Sequence, residues 1–197
     1  MFPIPHTMET LKPLSELTKK DPRFAQMMTF GESFWKRRYS LKQHYERYAL
    51  LEWPKGAPEE IVNGFVTAQH LAIYAWFVYP FSTLAQLQAL VTLEHALRRR
   101  MSNDPARGLK ARLRFAVAAG WIKGEDLRVL NPYTVPSRRK FGKRLIDPDG
   151  VKSLLSFIDN LPESRNWLAH GNWESGGDVF IALDIVLQLI NQLYPSI

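Results

Sequence analysis

Near the C-terminal end, the stretch ESRNWLAHGNW (residues 163–173) sets an arginine, a carboxamide and an imidazole within one and a half helical turns. On a regular helix Asn166 and His170 are four residues apart, hence on one face and one turn from each other. Arg165 points to an adjoining side, but its long stem brings the guanidinium round to the same spot. The trio combines a fixed positive charge, an amide donor and a titratable ring, which is a set suited to phosphate. Arginine grips two phosphate oxygens through its planar fork and stays charged. An imidazole, with an ordinary pKa of ~6.5, exchanges protons near neutral pH. The same residues also suit a plain helix end, in which Arg165 and Asn166 satisfy loop carbonyls and His170 caps the terminus.

Other chemistries find less support. The sequence has no Gly-rich phosphate loop, no HExxH helix and no GxSxG turn. It has no cysteine, which excludes disulfides, thiolate metal sites and a cysteine nucleophile. The histidines at positions 6, 44, 70, 95 and 170 show no metal-ligand spacing, so neither a metal nor a cofactor is expected. Asp147 and Asp149, in DPDG, read as turn and helix cap. His70, inside an apolar helix, reads as a hydrogen-bonded core residue, and His44, within KQHYERY, as a surface one.

The chain of 197 residues carries a net charge of +7, unevenly spread. From Arg98 to Arg144 fourteen Lys or Arg face three acids, Asp104, Glu125 and Asp126, a local +11 that leaves −4 for the remainder. Such clustering suits a polyanion, because binding releases condensed counterions; a solvated basic surface is the plainer alternative. Arg98, Arg138, Arg139, Lys140, Lys143 and Arg144 are the candidate phosphate-backbone contacts. No stretch reaches the ~20 apolar residues that span a bilayer, and the N-terminal MFPIPHTMETLKPLSELTKK lacks the pattern of a signal peptide. A soluble, cytoplasmic protein is expected.

The elements that must position these groups read as helices throughout. Residues 1–20 are Pro-rich and irregular; Asp21-Pro22 opens one or two helices that reach Trp53, interrupted near Gly31. WPKGAP breaks the chain, and a long helix then runs from Pro58 to Tyr79. After Pro80, the spacing of Leu84, Leu87, Leu90, Val91, Glu94, Leu97 and Met101 predicts the next helix. GLKARLRFAVAAGWI forms a shorter one closed by Gly120, and the Pro- and Arg-rich NPYTVPSRRKFGKRLIDPDG forms a loop. Then come VKSLLSFIDN, a separate helix opened by Pro162 and Glu163 and ended by Gly171, and an apolar final helix capped by Asp178. No alternating β-branched run is long enough for a sheet. The expected fold is all-α, with an N-terminal arm and helical extension over 1–57 and a helical domain over 58–197.

RNWLAHG, lying between an amphipathic helix and an apolar last helix, resembles the R-x(4–6)-H motif of the HEPN domain family, with a polar residue after the arginine. ALVTLEHALRRR, and the L-K-x-R-L-x-x-A-x-x-x-G order of 109–120, are similar to further family features, and the likeness covers about residues 58–194. It implies a HEPN-like helical bundle with additional N-terminal helices. It also implies a metal-independent endoribonuclease of toxin or defence type, in which the RNA 2′-hydroxyl attacks the adjacent phosphorus. Arg165, Asn166 and His170 would be the catalytic residues, supported by Glu94, in a cleft composed by a homodimer. Glu94 is alternatively the i, i+4 partner of Arg98. Implied partners are RNA and an antitoxin or regulatory protein. The alternative is a non-catalytic module that binds RNA, a nucleotide or a partner protein. Trp167 and Trp173 flank the motif, as core residues or as base-stacking platforms.

Overall fold

The computed structural model describes residues 11–24, 28–30, 36–101, 108–124, 126–127, 151–170 and 178–195, the side chains of 28–30, 36–38, 151–157 and 167 excepted. Among them the helices are α1 (Leu41–Ala49), α2 (Glu59–Tyr74), α3 (Phe81–Arg100), α4 (Gly108–Ala118), α5 (Val151–Ala169) and α6 (Val179–Leu193). The fold is all-α, with one small addition. Strands β1 (Met28–Phe30) and β2 (Lys36–Arg38) form an antiparallel ribbon in which Met28 pairs with Arg38.

That ribbon corrects the expectation of helices directly after Asp21. Pro22–Phe24 is a single 3-10 turn, and α1 begins only at Leu41. The reason lies in Asp21, whose carboxylate accepts hydrogen bonds from the Arg23 amide and guanidinium and from the Tyr79 amide. Its backbone N–H donates to Trp76 O. The side chain that should have capped a long helix instead ties the arm to the end of α2. That helix stops at Tyr74 rather than Tyr79, and the carbonyls freed beyond it are taken up by the arm, Lys12 Nζ reaching Phe77 O at 2.6 Å. α1 starts at a capping box, Ser40 and Gln43 each bonding the other's backbone N–H.

α3 is the central helix, in contact with α2, α4, α5 and α6. It lies close to α2 because the facing residues are small: Ala68 and Ala72 on α2 and Ala85, Ala89 and Ala96 on α3 are fully buried. Gly64 continues the seam, since a Cβ there would stand 2.7 Å from Thr92 Oγ1. Only part of the apolar pattern that predicts α3 is buried. Leu90, Leu97 and Met101 are inside, but Leu84 and Val91 are exposed, and alanines take the inner positions. α6, capped by Asp178 as expected, buries Leu183, Val186, Leu189, Ile190 and Leu193 in the same core. Tyr48 and Leu51, from the first 57 residues, belong to that core too.

Two histidines exchange their expected places. His44 is buried, its Nε2–H donating to Ala72 O at 2.9 Å, which leaves Nδ1 to accept from Tyr39 Oη at 3.3 Å. Phe24, Tyr39, Tyr48 and Trp76 surround its ring at centroid distances of 5.1 to 5.7 Å. His70 is exposed, because it lies nearly opposite Ala68 on α2 and the α3-facing seam runs along the alanine side.

α5 supplies the last correction. It runs unbroken from Val151 to Ala169 with Pro162 inside it, so no separate helix opens at Pro162. Proline removes the bond to the Ile158 carbonyl, but packing through Ile158 and Leu168, both buried, holds the two halves in one helix. Gly120, at φ +71°, closes α4 as expected.

Candidate functional site

Three helices meet at one carboxylate. Glu94 on α3 accepts from Arg112 of α4 at 2.8 Å through Oε1, and its Oε2 lies 3.6 Å from the Arg165 guanidinium of α5. The side chains grade outward, with Arg112 11% exposed, Glu94 21% and Arg165 36%. One negative charge thus sits between two positive ones, with Arg165 at the outer edge. Glu94 turns across the bundle to these partners rather than along α3 to Arg98.

Arg165 donates to Asn166 Oδ1 at 3.2 Å, while its Nε–H is buried without a partner among the described residues. A guanidinium has five N–H donors, so most of this one's capacity is uncommitted among the described residues. Asn166 and His170 are exposed, and the His170 amide donates to Asn166 O at 3.0 Å, closing the last turn of α5. Arg165 and Asn166 are brought together side chain to side chain. His170 follows one turn later with its ring toward solvent. Chemically, the arrangement offers an anchored but under-bonded cation, an amide and an accessible imidazole along one helix end.

Arg112 is the member that sequence reasoning missed as a site residue, though it stands within the L-K-x-R-L segment. Its neighbours also change the reading of the basic segment. Arg99 pairs with Glu60 at 3.2 Å, and Arg114 makes a two-pronged bond to Asp159 at 2.9 and 2.6 Å, joined by Lys110 at 3.6 Å. The Arg114 hydrogen bond holds the Asp159 carboxyl below the usual carboxylate range. Four of the segment's cations are therefore paired with three acids from outside it, Glu60, Glu94 and Asp159, and three of the four lock α4 onto α3 and α5. Arg98 is exposed on α3. Arg138, Arg139, Lys140, Lys143 and Arg144 lie outside the described residues, as do Asp147, Asp149, Gly171, Trp173 and the Trp167 side chain.

Comparison with known protein families, curated proteins and solved structures finds no match. Among the described residues, no helix is long and apolar enough to cross a membrane.

Proposed function

We propose that the protein is a HEPN-type, metal-independent endoribonuclease of the toxin or defence class, working in the cytoplasm as a homodimer under the control of a regulatory or antitoxin partner. The observation that carries this reading is the Glu94–Arg165 contact. It holds a cation at the end of α5 while leaving most of its donors without a partner among the described residues, one turn from an accessible His170.

Cleavage of an RNA linkage by its own 2′-hydroxyl needs three things. A base removes the 2′-hydroxyl proton as that oxygen bonds to phosphorus. An acid protonates the departing 5′-oxygen as the P–O5′ bond breaks. Positive charge stabilises the crowded phosphorane between them. The products are a 2′,3′-cyclic phosphate and a free 5′-hydroxyl. One imidazole does not reach both sides of a phosphate, so His170 of one protomer is the base and its copy across a two-fold interface is the acid. Arg165 binds the non-bridging oxygens, and Asn166, already bonded to Arg165, orients the guanidinium. Arg165→Ala or His170→Ala is expected to abolish chelator-resistant RNA cleavage while leaving the far-ultraviolet circular dichroism unchanged. Cleavage persisting in His170→Ala removes that residue from the mechanism.

A second reading has its own support. The Arg112–Glu94–Arg165 triad also serves as a plain three-helix junction, which fits a non-catalytic module that binds RNA, a nucleotide or a protein. Salt-sensitive binding with no cleavage products at any pH distinguishes it.

A further inference from the structure

Away from the triad, three depressions share lining residues in series and are taken together as one trough. The first, about 440 Å³ between α1 and α2, has Tyr45, Gln69 and His70 in its walls and ends at Glu52, Trp53 and Lys55. The second, about 270 Å³, shares those last three residues and reaches Asn191 of α6. The third, about 550 Å³, shares Asn191 and ends at Arg100, Trp121 and Lys123.

Its lining is hard to explain by folding. Trp53 is 58% and Tyr45 55% exposed, although indole and phenol rings are worth most when buried. Arg100 lies over one face of the half-buried Trp121 ring at 5.3 Å, an arginine–indole pair that a base can extend. Charge points the same way. In the basic segment, Arg99, Lys110, Arg112 and Arg114 are spent on acids, whereas Arg98, Arg100 and Lys123 have no acidic partner among the described residues. Two of those three line the trough. Of its acids, Glu52 is neutralised by Lys55 at 3.0 Å, and Asp126 is an exposed lining residue beside Lys123. The Gln69 amide is fixed as well: its nitrogen donates to Tyr48 O and Leu51 O at 3.2 and 2.6 Å, which leaves Oε1 as the acceptor. Flat rings, cations without an acidic partner among the described residues and the oriented Gln69 carboxamide match nucleobases strung on a phosphate backbone.

We propose that this trough binds single-stranded RNA, its bases stacking on Trp53 and Trp121 and its phosphates meeting Arg100 and Lys123. A duplex does not suit it, because paired bases hide their faces. The choice of RNA rests on the nuclease reading, and α3 carries both sites, with Glu94 and Arg100 six residues or ~9 Å of helix rise apart.

The test uses the full chain carrying His170→Ala, so that RNA survives, and a fluorescent 12-nucleotide single-stranded RNA read by anisotropy. Trp53→Ala is expected to weaken binding about tenfold, while Trp53→Phe keeps most of the affinity. Arg100→Gln with Lys123→Gln lowers the salt slope by about 1.4, and duplex RNA of equal length does not compete. Quenching of intrinsic fluorescence by the RNA shrinks in Trp53→Phe, which reports contact with that ring independently of affinity. Unchanged affinity and salt slope in these variants overturn the trough while leaving the nuclease reading intact. Binding that maps to the trough in a protein that never cleaves supports the trough and overturns the nuclease. A parent that binds no RNA, or a proline-rich peptide instead, overturns the trough outright.

Discussion

Replacing Glu94 by Gln takes away the carboxylate that Arg112 and Arg165 share and leaves two guanidinium groups facing one another. Breaking a fully buried pair costs ~3–5 kcal/mol; with these side chains partly solvated, a loss of about 2 kcal/mol in urea unfolding is expected. Glu94→Asp, which keeps the charge, should recover part of it. If Arg165 acts on RNA, the Gln variant also loses turnover, because its guanidinium is no longer held. His44 makes a separate prediction at this scale. Burial within aromatic rings pushes its pKa down, against the opposing bond to Ala72 O, and the positive charge of Arg47 adds to the lowering. A lowered folded pKa means that the unfolded chain binds the proton more readily. The contribution is complete above the ordinary histidine value of ~6.5 and fades as pH falls from there toward the folded pKa. Melting temperature should drop between pH 7.5 and 5.5 in the parent, and His44→Gln should flatten that slope.

At the scale of elements, the α2–α3 seam and α5 carry opposite expectations. Gly64→Ala improves helix propensity by ~1 kcal/mol, yet its Cβ meets Thr92, which is buried and already bonded to Gln88 O at 2.8 Å. Overpacking costs ~1–3 kcal/mol, so net destabilisation is expected, and Thr92→Ala in the same chain should relieve it. Pro162→Ala is expected to stabilise by about 1–2 kcal/mol, because it restores an N–H for the Ile158 carbonyl in a helix that is already continuous. A destabilised Pro162→Ala would mean that the proline is packed more tightly than its half-exposed position indicates. Caps and breakers made several of these elements legible: Asp178 before α6, Gly120 after α4, and Pro80 as the residue preceding α3. Pro162 misled because its local preference for a helix start is weaker than the packing of Ile158 and Leu168 on either side.

At the scale of the whole molecule, the nuclease proposal requires two copies. Light scattering at micromolar protein should give twice the chain mass, and an equal amount of His170→Ala chains, allowed to exchange with the parent, should cut the parent's cleavage by about half, because a mixed dimer keeps one imidazole. The all-α class, the order of the helices and the Arg165–Asn166–His170 cluster were readable from the sequence, because spacing along one helix and the chemistry of its ends are local properties. Which way a side chain faces is not local. His44 and His70 exchange roles because the seam against α3 runs along the alanine side of α2, and the arm encloses the ring of α1 that reaches its far end. Glu94 had a neighbour four residues away and took partners on two other helices instead. Asn191 lines one depression with Trp53 and another with Trp121, residues far from it in the chain. Such choices depend on how helices pack against each other, and that is where the burial of apolar surface decides between local alternatives of nearly equal energy.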